Sequence, residues 1–453
     1  MVRGLKYQQL LGLLSQRQIW DPATLAVRLE ISQPTLSRLL KQAGRDQRLR
    51  VIGRARSTRY SGVRTIRQLQ NPIPLIRINE NGEPELAGDL WPLSGEGWLH
   101  QTPEGVESWL HEGMPFYFED MRPQGFLGRG FSRRHMDLGL PERVQDWSGE
   151  HVSVALACRM EDSDGSLILG QESLDRWYAS ERQARPPIAV GQAGSAYLDL
   201  ARDALAGTLA TGGSSAGGEQ PKFSATLREP DGSLNHMLVK FADRSVGEAS
   251  ARWADLLIAE SVALECLREA GCPVAETRLI AVGSWVFLES RRFDRVGARG
   301  RKGVASLGAL NLGFFGGLTN WVEAGRRLRA EGWLTTADLA WIRIADAFGR
   351  RICNTDRHLG NLSFFCAVDQ LGSERKIALA PIYDMLPMAW APQGDRVPQA
   401  GARHDLEAPS AEGLGAWSET RPYAQRFWER LANDARVSAG FRKIAEVLLI
   451  QNK

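Results

Sequence analysis

The stretch NTDRHLGN, residues 354–361, places Asp356, His358 and Asn361 within six positions, and Leu359 is its single apolar side chain. An amphipathic run with helical spacing precedes this stretch, and an apolar run typical of a strand follows it. Carboxylate, imidazole and carboxamide groups carry protons or bind metal ions, and they contribute little to an apolar core. The stretch therefore predicts a polar catalytic loop between a helix and a strand.

A second apolar run, LAPIYDML (379–386), contains Asp384. Strands on either side of a polar turn would bring Asp356, Asn361 and Asp384 to one end of a sheet. Phosphoryl transfer from MgATP needs a carboxylate that orients the attacking hydroxyl and oxygen ligands for Mg²⁺. Asp five residues before Asn, with a further Asp downstream, is the spacing of the kinase catalytic loop and its metal-binding aspartate. We therefore predict that Asp356 is the catalytic base and that Asn361 and Asp384 bind Mg²⁺.

Upstream of this loop, TGGSSAGGEQPKF (211–223) combines glycines, including Gly217 and Gly218, with Lys222. The apolar run HMLVKF follows and ends near Lys240. Glycines let backbone N–H groups approach phosphate oxygens closely, and a lysine on an adjacent strand supplies a positive charge. The loop matches neither the Walker A motif nor the GxGxxG of ordinary protein kinases, and a flexible linker is the alternative interpretation.

The next run, ARWADLLIAESVALECLREAGCP (251–273), has the apolar period of a helix and carries Glu260. An acid on this helix could pair with Lys240 and hold it towards a nucleotide, although a solvated helix charge is the alternative. After the helix, WVFLESRRFDR (285–295) predicts a buried strand that runs into a charged segment. The backbone of this segment could hydrogen-bond a nucleotide base.

Charge is distributed unevenly along the chain. Residues 1–70 contain fourteen Lys and Arg and three acids, a formal charge of +11, whereas the remainder carries −8. This end suits a polyanion. Within it, TLAVRLEISQPTLSRLLKQ (24–42) has the helix start and stop signals of a helix-turn-helix, with Pro34 near the start of the second helix. If its leucines point inward, the side chains left for base edges and phosphates are Gln33, Thr35, Ser37, Arg38 and Lys41.

Two β-rich runs about a turn follow in LRVIGRARSTRYSGVR (49–64). This pattern predicts a basic wing. The arginines assigned to this wing are Arg48, just before the stretch, and Arg50, Arg54, Arg56 and Arg59 within it. The alternative is a small helical domain with a solvated arginine face, and the concentration of charge favours DNA binding.

Length and composition limit the class of protein. At 453 residues the chain is expected to form about two to four units, and its hydrophobic content of 43% and charged content of 24% are typical of globular proteins. The five cysteines are scattered, which favours reduced thiols in the cytoplasm. The N-terminal sequence lacks the features of a signal peptide, and no apolar run is long enough for a membrane span. Neither export nor a membrane partner is expected.

Composition shifts divide the chain into four predicted units. They are a winged helix-turn-helix domain over 1–70, a β-rich unit over 75–200, a nucleotide-binding lobe over 201–310 and a mainly helical catalytic lobe over 311–453. The β-rich unit shows no catalytic grouping. Glu119, Asp120 and Arg122 are interpreted as ordinary surface charges.

Taken together, these motifs resemble the HipA-like serine/threonine kinases, the toxin components of bacterial type II toxin–antitoxin modules. The resemblance covers about residues 75–440 and rests on SSAGGEQPK, LVKF, RRFDR, NTDRHLGN and APIYDM. It implies an α+β, two-lobed protein-kinase-like fold, here preceded by the winged helix-turn-helix domain. It also implies that ATP and Mg²⁺ are cofactors, that Lys240 contacts the ATP phosphates and that Lys222 belongs to the phosphate loop.

The resemblance extends to regulation and partners. In the family a serine before the glycine loop can be autophosphorylated, which inactivates the enzyme, and Ser215 stands at the matching place beside Ser214. Relatives phosphorylate translation proteins such as aminoacyl-tRNA synthetases and are regulated by a separate helix-turn-helix antitoxin. This chain departs from the family by carrying its own basic N-terminal domain and by having Arg291 where the family commonly has Glu before RFDR.

Three functions therefore remain open at the level of sequence. The first is a DNA-binding, HipA-like Ser/Thr kinase that inhibits growth and is autoregulated. The second is a Mg²⁺-dependent nuclease in which the same acids and His358 cut the bound DNA. The third is a transcriptional regulator whose kinase-like part only senses nucleotide.

Overall fold

The structure is a computed structural model, and it describes residues 2–17, 19–53, 57–103, 108–128, 130–183, 185–207, 220–371, 375–394, 396–399 and 414–451. Helices and strands are mixed along the described chain, as an α+β fold requires. No helix within these ranges combines the length and apolar character needed to cross a membrane.

The N-terminal unit is three helices followed by a β-hairpin. Its elements are α1 (Val2–Leu14), α2 (Pro22–Leu29), α3 (Gln33–Arg45), β1 (Leu49–Ile52) and β2 (Arg59–Gly62). The Asp21 side chain caps α2 by accepting from Thr24 N, and Pro34 lies in the first turn of α3, where a missing N–H costs nothing. Leu25, Leu36 and Leu39 are among the leucines of its core. The predicted helix-turn-helix and wing are both present.

The second unit is an antiparallel sheet covered by helices. Its strands, in the order β6-β5-β4-β3-β7, are β3 (Ile73–Ile78), β4 (Pro84–Pro92), β5 (Trp98–Gln101), β6 (Ser108–His111) and β7 (Leu167–Leu169). Its helices are α4 (Phe118–Met121), α5 (Gly125–Gly128), α6 (Phe131–Arg134), α7 (Gly149–Arg159) and α8 (Gln171–Gln183). The wing is joined to this sheet, because Ile52 and Val63 pack against Trp91, Leu93 and Leu99.

The third unit is a five-stranded sheet with a helix on each face. Its elements are β8 (Ile188–Ala189), α9 (Ala193–Ala206), β9 (Lys222–Arg228), β10 (Leu234–Asp243), α10 (Glu248–Glu269), β11 (Thr277–Val282) and β12 (Trp285–Arg291), with strand order β11-β12-β10-β9-β8. Residues 188–200 were expected to close the preceding unit. They pack here instead, because Tyr197 and its apolar neighbours on α9 share a core with Phe223 and Phe241.

The fourth unit is mainly helical. Its elements are β13 (Arg295–Val296), β14 (Gly300–Arg301), β15 (Val304–Ser306), α11 (Leu307–Leu310), α12 (Trp321–Ala330), α13 (Thr336–Arg351), β16 (Ser363–Phe365), β17 (Ala378–Leu379), α14 (Leu414–Asn433) and α15 (Ala439–Gln451). The small sheet β15-β16-β17 supports the loop quoted at the outset. One continuous apolar core joins this unit to α10 and to the second unit.

The second unit also corrects an interpretation of surface charges. Glu119 and Arg122 form a half-exposed ion pair at 2.6 Å, as expected. Asp120, however, turns inward and accepts hydrogen bonds from Ser306 N at 2.7 Å and Ser306 Oγ at 2.6 Å. Its carboxylate therefore joins the second unit to the fourth, and burial raises the pKa of Asp120 to about 6.

Candidate active site

Two lysines lie at the junction of the five-stranded sheet and the helical unit, which we call the cleft. Lys222 on β9 and Lys240 on β10 are direct partners in the antiparallel register, so their side chains lie on the same face of the sheet. Both residues are buried, at 3% and 7% relative exposure. Two buried cations on adjacent strands are costly unless anions accompany them. The pair therefore marks a site for negative charge.

Lys240 is held by two carboxylates. Its Nζ donates to Glu260 Oε1 at 2.8 Å, to Glu260 Oε2 at 2.7 Å and to Asp384 Oδ1 at 2.5 Å. Burial opposes the charged form of the lysine, but the two anions outweigh it and raise the pKa of Lys240. Lys240 is thus a fixed cation, and the predicted pairing with Glu260 on α10 is formed.

Lys222 has a different electrostatic environment. Burial lowers the pKa of its ammonium to about 8, and the charge of Lys240 acts in the same direction. Asp384, Glu260 and Asp164 oppose this shift. A phosphate group beside Lys222 would add the negative charge that keeps it protonated.

The catalytic loop begins where α13 ends. Asp346 on α13 accepts from Arg350 Nε at 2.8 Å and from Arg357 Nε at 3.2 Å, so the arginine inside the loop is tied to the helix before it. Trp321 Nε1 donates to the backbone oxygen of His358 at 2.9 Å, which fixes the loop from α12. Asp346, Arg357 and Trp321 were missed at the level of sequence, because the contacts of Asp346 and Trp321 with the loop join separate elements.

Inside the loop, Asn354, Asp356 and Asn361 determine each other's positions. Asn354 Oδ1 accepts from Asp356 N at 3.0 Å, and Asn361 Nδ2 donates to the backbone oxygen of Asp356 at 2.9 Å. The amide nitrogen of Asn361 is thus used within the loop, so its amide oxygen is the atom that could bind a metal ion. His358 Nδ1 accepts from Gly360 N at 3.0 Å, so this histidine braces the turn.

Asp356 is half-buried, and burial raises the pKa of its carboxyl. Its Oδ1 lies 4.0 Å from His358 Nε2, which opposes the shift, and the charge of Asp384 adds to it. A carboxylate with a raised pKa is a better proton acceptor than an ordinary aspartate. The environment of Asp356 therefore suits a general base.

Asp384 has a backbone conformation rare for a non-glycine residue, with a φ of 54°. The predicted strand around it is shorter than expected, since β17 ends at Leu379 and only a bridge between Ile382 and Val274 continues the pairing. Burial favours the neutral carboxyl, but Lys240 outweighs it and holds the pKa of Asp384 below its ordinary value. A strained, ionised carboxylate beside a fixed lysine is typical of a functional site.

The donor set of this cleft fits Mg²⁺. Asp384 and Asn361 offer hard oxygen atoms, and Mg²⁺ is commonly held by one or two protein ligands together with phosphates and water. Among the described residues, no group of three His, Cys, Asp or Glu is arranged to hold a metal by itself. Water or phosphate oxygens would complete the coordination of a Mg²⁺ ion held by Asp384 and Asn361.

Some predicted site residues lie elsewhere. Gly217, Gly218 and Ser215 fall in residues 208–219, outside the described residues. Arg291 is exposed at the end of β12 and pairs with Glu276 at 2.9 Å. Its side chain is thus directed to β11 and not to the cleft.

The N-terminal unit presents the predicted polar face. On α3, Leu36, Leu39 and Leu40 are buried, whereas Thr35 is half-buried and the exposed side chains are Gln33, Ser37, Arg38 and Lys41. Helix α3 therefore has a buried apolar face and an exposed polar face, as its pattern predicts.

The wing differs in part from its prediction. Arg54 and Arg56 lie outside the described residues. Arg50 does not extend into solvent, because its guanidinium stacks 3.0 Å from the ring centre of Trp91 and burial lowers its pKa to about 10. Arg50 thus holds the wing against the second unit. This corrects the prediction that Arg50 is one of the cations presented by the wing, and only the fold reveals it.

Comparisons with known proteins match two parts of the chain to family models. Residues 69–178 match the model of the YjjJ-like toxin middle domain, and residues 214–448 match the HipA-like C-terminal domain. The chain is 39% identical over 427 residues to Toxin YjjJ of Escherichia coli, covering 92% of this chain and 91% of that protein.

Two solved structures share lower similarity. HipA of Shewanella oneidensis, solved with HipB and operator DNA, gives a TM-score of 0.45 at 14% identity and covers 83% of this chain and 96% of its own. The Helicobacter pylori kinase CtkA gives a TM-score of 0.37 at 16% identity, with coverage of 52% and 88%. The family assignment rests on the sequence matches: the chain belongs to the HipA-like toxin family.

Proposed function

We propose that the protein is an ATP- and Mg²⁺-dependent serine/threonine protein kinase. The observation that carries this proposal is the joint contact of Lys240 with Glu260 and Asp384, beside a loop that presents Asp356 and Asn361. A lysine fixed by a helix glutamate, a loop aspartate and an Asp–Asn pair are the parts that phosphoryl transfer from a nucleotide requires.

Each residue has a separate task in this proposal. Lys240, fixed by Glu260, binds phosphate oxygens, and Lys222 adds a second cation to the same face. Asp356 orients the hydroxyl of the substrate and accepts its proton. Asn361 and Asp384 would hold the metal ion, which would offset charge on the phosphates. The fixed geometry matters because it removes reorganisation from the transfer step.

The test is incubation of the full chain with γ-labelled ATP and Mg²⁺. Wild type should incorporate label into itself or into an added protein, and Asp356→Asn should not. Asp146→Asn, which alters an exposed ion pair on the surface, is the matched control and should behave as wild type. Equal incorporation by wild type and Asp356→Asn contradicts the proposal. Nicking of duplex DNA with metal and no ATP would support the nuclease alternative instead.

We also propose that the N-terminal unit binds duplex DNA. The specific observation is the face of α3, where polar and basic side chains are exposed on one side and leucines are buried on the other. Gln33, Ser37 and Arg38 suit base edges, and Lys41 suits a phosphate. Arg54 and Arg56, outside the described residues, are proposed to contact phosphates from the wing.

The DNA experiment should use the full chain. The wing packs on Trp91 and Leu93, so a fragment ending near residue 70 would expose apolar residues that the second unit covers. Fluorescence anisotropy on specific and random duplexes should show that Arg38→Ala loses discrimination between sequences. Arg54→Ala should weaken binding to all duplexes. Equal loss on every sequence in both variants contradicts the division of roles.

Regulation and partners complete the proposal. Ser215, or Ser214 beside it, is the expected site of autophosphorylation, and mass spectrometry after incubation with ATP tests this. Phosphate found only elsewhere overturns it. A translation factor or aminoacyl-tRNA synthetase as the substrate, growth inhibition and a separate antitoxin remain proposals that rest on family membership.

A further inference from the structure

A loop of the second unit, Glu161–Gly165, packs against the segment that links the two lobes. We name residues 292–295 the hinge segment, because β12 ends at Arg291 and the chain passes from there to the helical unit. The loop lies within the middle-domain match, residues 69–178, and the hinge segment lies within the C-terminal match, residues 214–448. Two separately defined domains therefore meet at the hinge.

Arg292 is the centre of this contact. Its guanidinium is 9% exposed and lies 3.0 Å from Asp294, 3.2 Å from Asp164 and 3.3 Å from Asp162. The three carboxylates outweigh the effect of burial and raise the pKa of Arg292. A buried guanidinium with several carboxylate partners has few alternative positions, since moving it would leave charges unpaired.

The rest of the loop is bound in the same way. Arg295 donates to Asp162 at 2.7 Å and to the backbone oxygens of Ser163 at 2.9 Å and Gly165 at 3.1 Å. Arg301 donates to the backbone oxygen of Glu161 at 2.6 Å. Arg292 and Arg295 thus bind the three carboxylates of Asp162, Asp164 and Asp294, and Arg301 binds the loop backbone beside them. The network contains three guanidinium groups and three carboxylates.

This network borders the nucleotide cleft. Phe293, inside the hinge segment, packs against Tyr383 with ring centres 5.8 Å apart, and Tyr383 precedes the cleft residue Asp384. Asp164 has 36% of its side chain exposed, more than Asp162 or Asp294. Its charge acts on both Lys222 and Tyr383. Asp164 thus connects the network electrostatically to Lys222.

We propose that Asp164 and Arg292 are positioning residues for nucleotide binding, so that the second unit is a working part of the cleft. This inference rests on the proposed kinase function. Asp164 holds Arg292, and Arg292 fixes the hinge segment that sets the spacing between the lysines on the sheet and Asp384 in the helical unit. If the loop is not held, the spacing between the lysines on the sheet and Asp384 is no longer fixed.

The test is titration of the full chain with the fluorescent nucleotide TNP-ATP in the presence of Mg²⁺, with the melting temperature measured in parallel. Asp164→Asn should bind the nucleotide about fivefold more weakly, within the range for residues that act through a neighbour. Asp164→Glu, which keeps the charge, should recover most of the affinity. Arg292→Lys, which keeps the charge but loses the planar fork, should show the same loss as Asp164→Asn.

The matched control is Asp369→Asn. Asp369 pairs with Arg77 on β3 at 2.6 Å, so it also joins the second unit to the fourth, through a different contact. Its substitution should lower the melting temperature and leave nucleotide affinity unchanged. Equal affinity of wild type and Asp164→Asn overturns the inference, as does an equal loss in Asp164→Asn and Asp369→Asn. Failure of wild type to bind TNP-ATP overturns the proposed function and the inference with it.

Discussion

The cleft and the exposed face of α3 both use positive charge, but they hold it in opposite ways. In the cleft, Lys240 is buried and contacts Glu260 and Asp384 within hydrogen-bonding distance. On α3, Arg38 and Lys41 extend into solvent. A buried and paired charge has one position, whereas an exposed charge has many and is screened by salt.

The difference indicates two kinds of recognition. A fixed charge suits chemistry, because the groups that stabilise a transition state must be in place before the reaction. Mobile surface charges suit a polyanion, because their contribution comes from the release of counterions and tolerates small displacements. Substitutions in the two regions should therefore have separable consequences.

The largest expected effect is a reciprocal loss of function. Asp384→Asn should reduce phosphate incorporation by about a thousandfold, since metal-held charge stabilises the transition state by several kcal/mol, and should leave DNA affinity unchanged. Arg38→Ala should leave phosphate incorporation unchanged and lower the affinity for the specific duplex, so that discrimination between sequences is lost. Labelling with γ-labelled ATP and fluorescence anisotropy measure the two activities in the same preparations. Loss of both activities in either variant would contradict the separation.

The second effect concerns stability. Glu260→Ala leaves Lys240 buried with one partner fewer and should lower the free energy of unfolding by about 3 kcal/mol. Glu331→Ala breaks the exposed pair with Arg327 and should cost less than about 1 kcal/mol. Urea denaturation followed by circular dichroism measures both. Similar costs for the two variants would show that burial does not distinguish these ion pairs.

The third effect is the response to salt. DNA affinity should fall steeply with salt concentration, and Lys41→Ala should reduce the slope of log affinity against log salt by about one, as expected when one phosphate contact is lost. Binding of TNP-ATP should depend less on salt than DNA binding does, because Lys222 and Lys240 in the cleft are buried. Anisotropy over a salt series measures the slopes. An unchanged slope for Lys41→Ala would remove this residue from the phosphate contacts.

The smallest effect is a dependence on pH within the cleft. The pKa of Lys222 is lowered to about 8, first by burial and then by Lys240. Below that pH the ammonium is charged, and above it the proton is lost, so nucleotide affinity should weaken severalfold as pH rises through about 8. Lys222→Arg keeps its charge over this range and should abolish the dependence. Titrations with TNP-ATP at several pH values measure it, and an identical profile in the variant contradicts the assignment.

Local patterns correctly predicted much of the fold. Leucines at helical spacing identified the buried face of α3, because a helix repeats every 3.6 residues and its buried face can be read along the chain. The pairing of Lys240 with Glu260 was also predicted, since the strand that carries the lysine and the helix that carries the acid follow each other along the chain. Membership of the HipA-like family was predicted from motifs and is confirmed by the matches.

The sequence alone thus determined the helix-turn-helix and the polar loop that carries the candidate residues Asp356 and Asn361, because each depends on neighbours within a few positions. Only the tertiary structure decided that Asp120 turns inward, that Arg50 stacks on Trp91 and that Asp164 holds Arg292. The partners in these contacts are separated by tens to hundreds of positions, and either partner read alone is an ordinary charged or aromatic residue. The structural roles of these residues depend on their burial, which arises only when the units of the chain pack against one another.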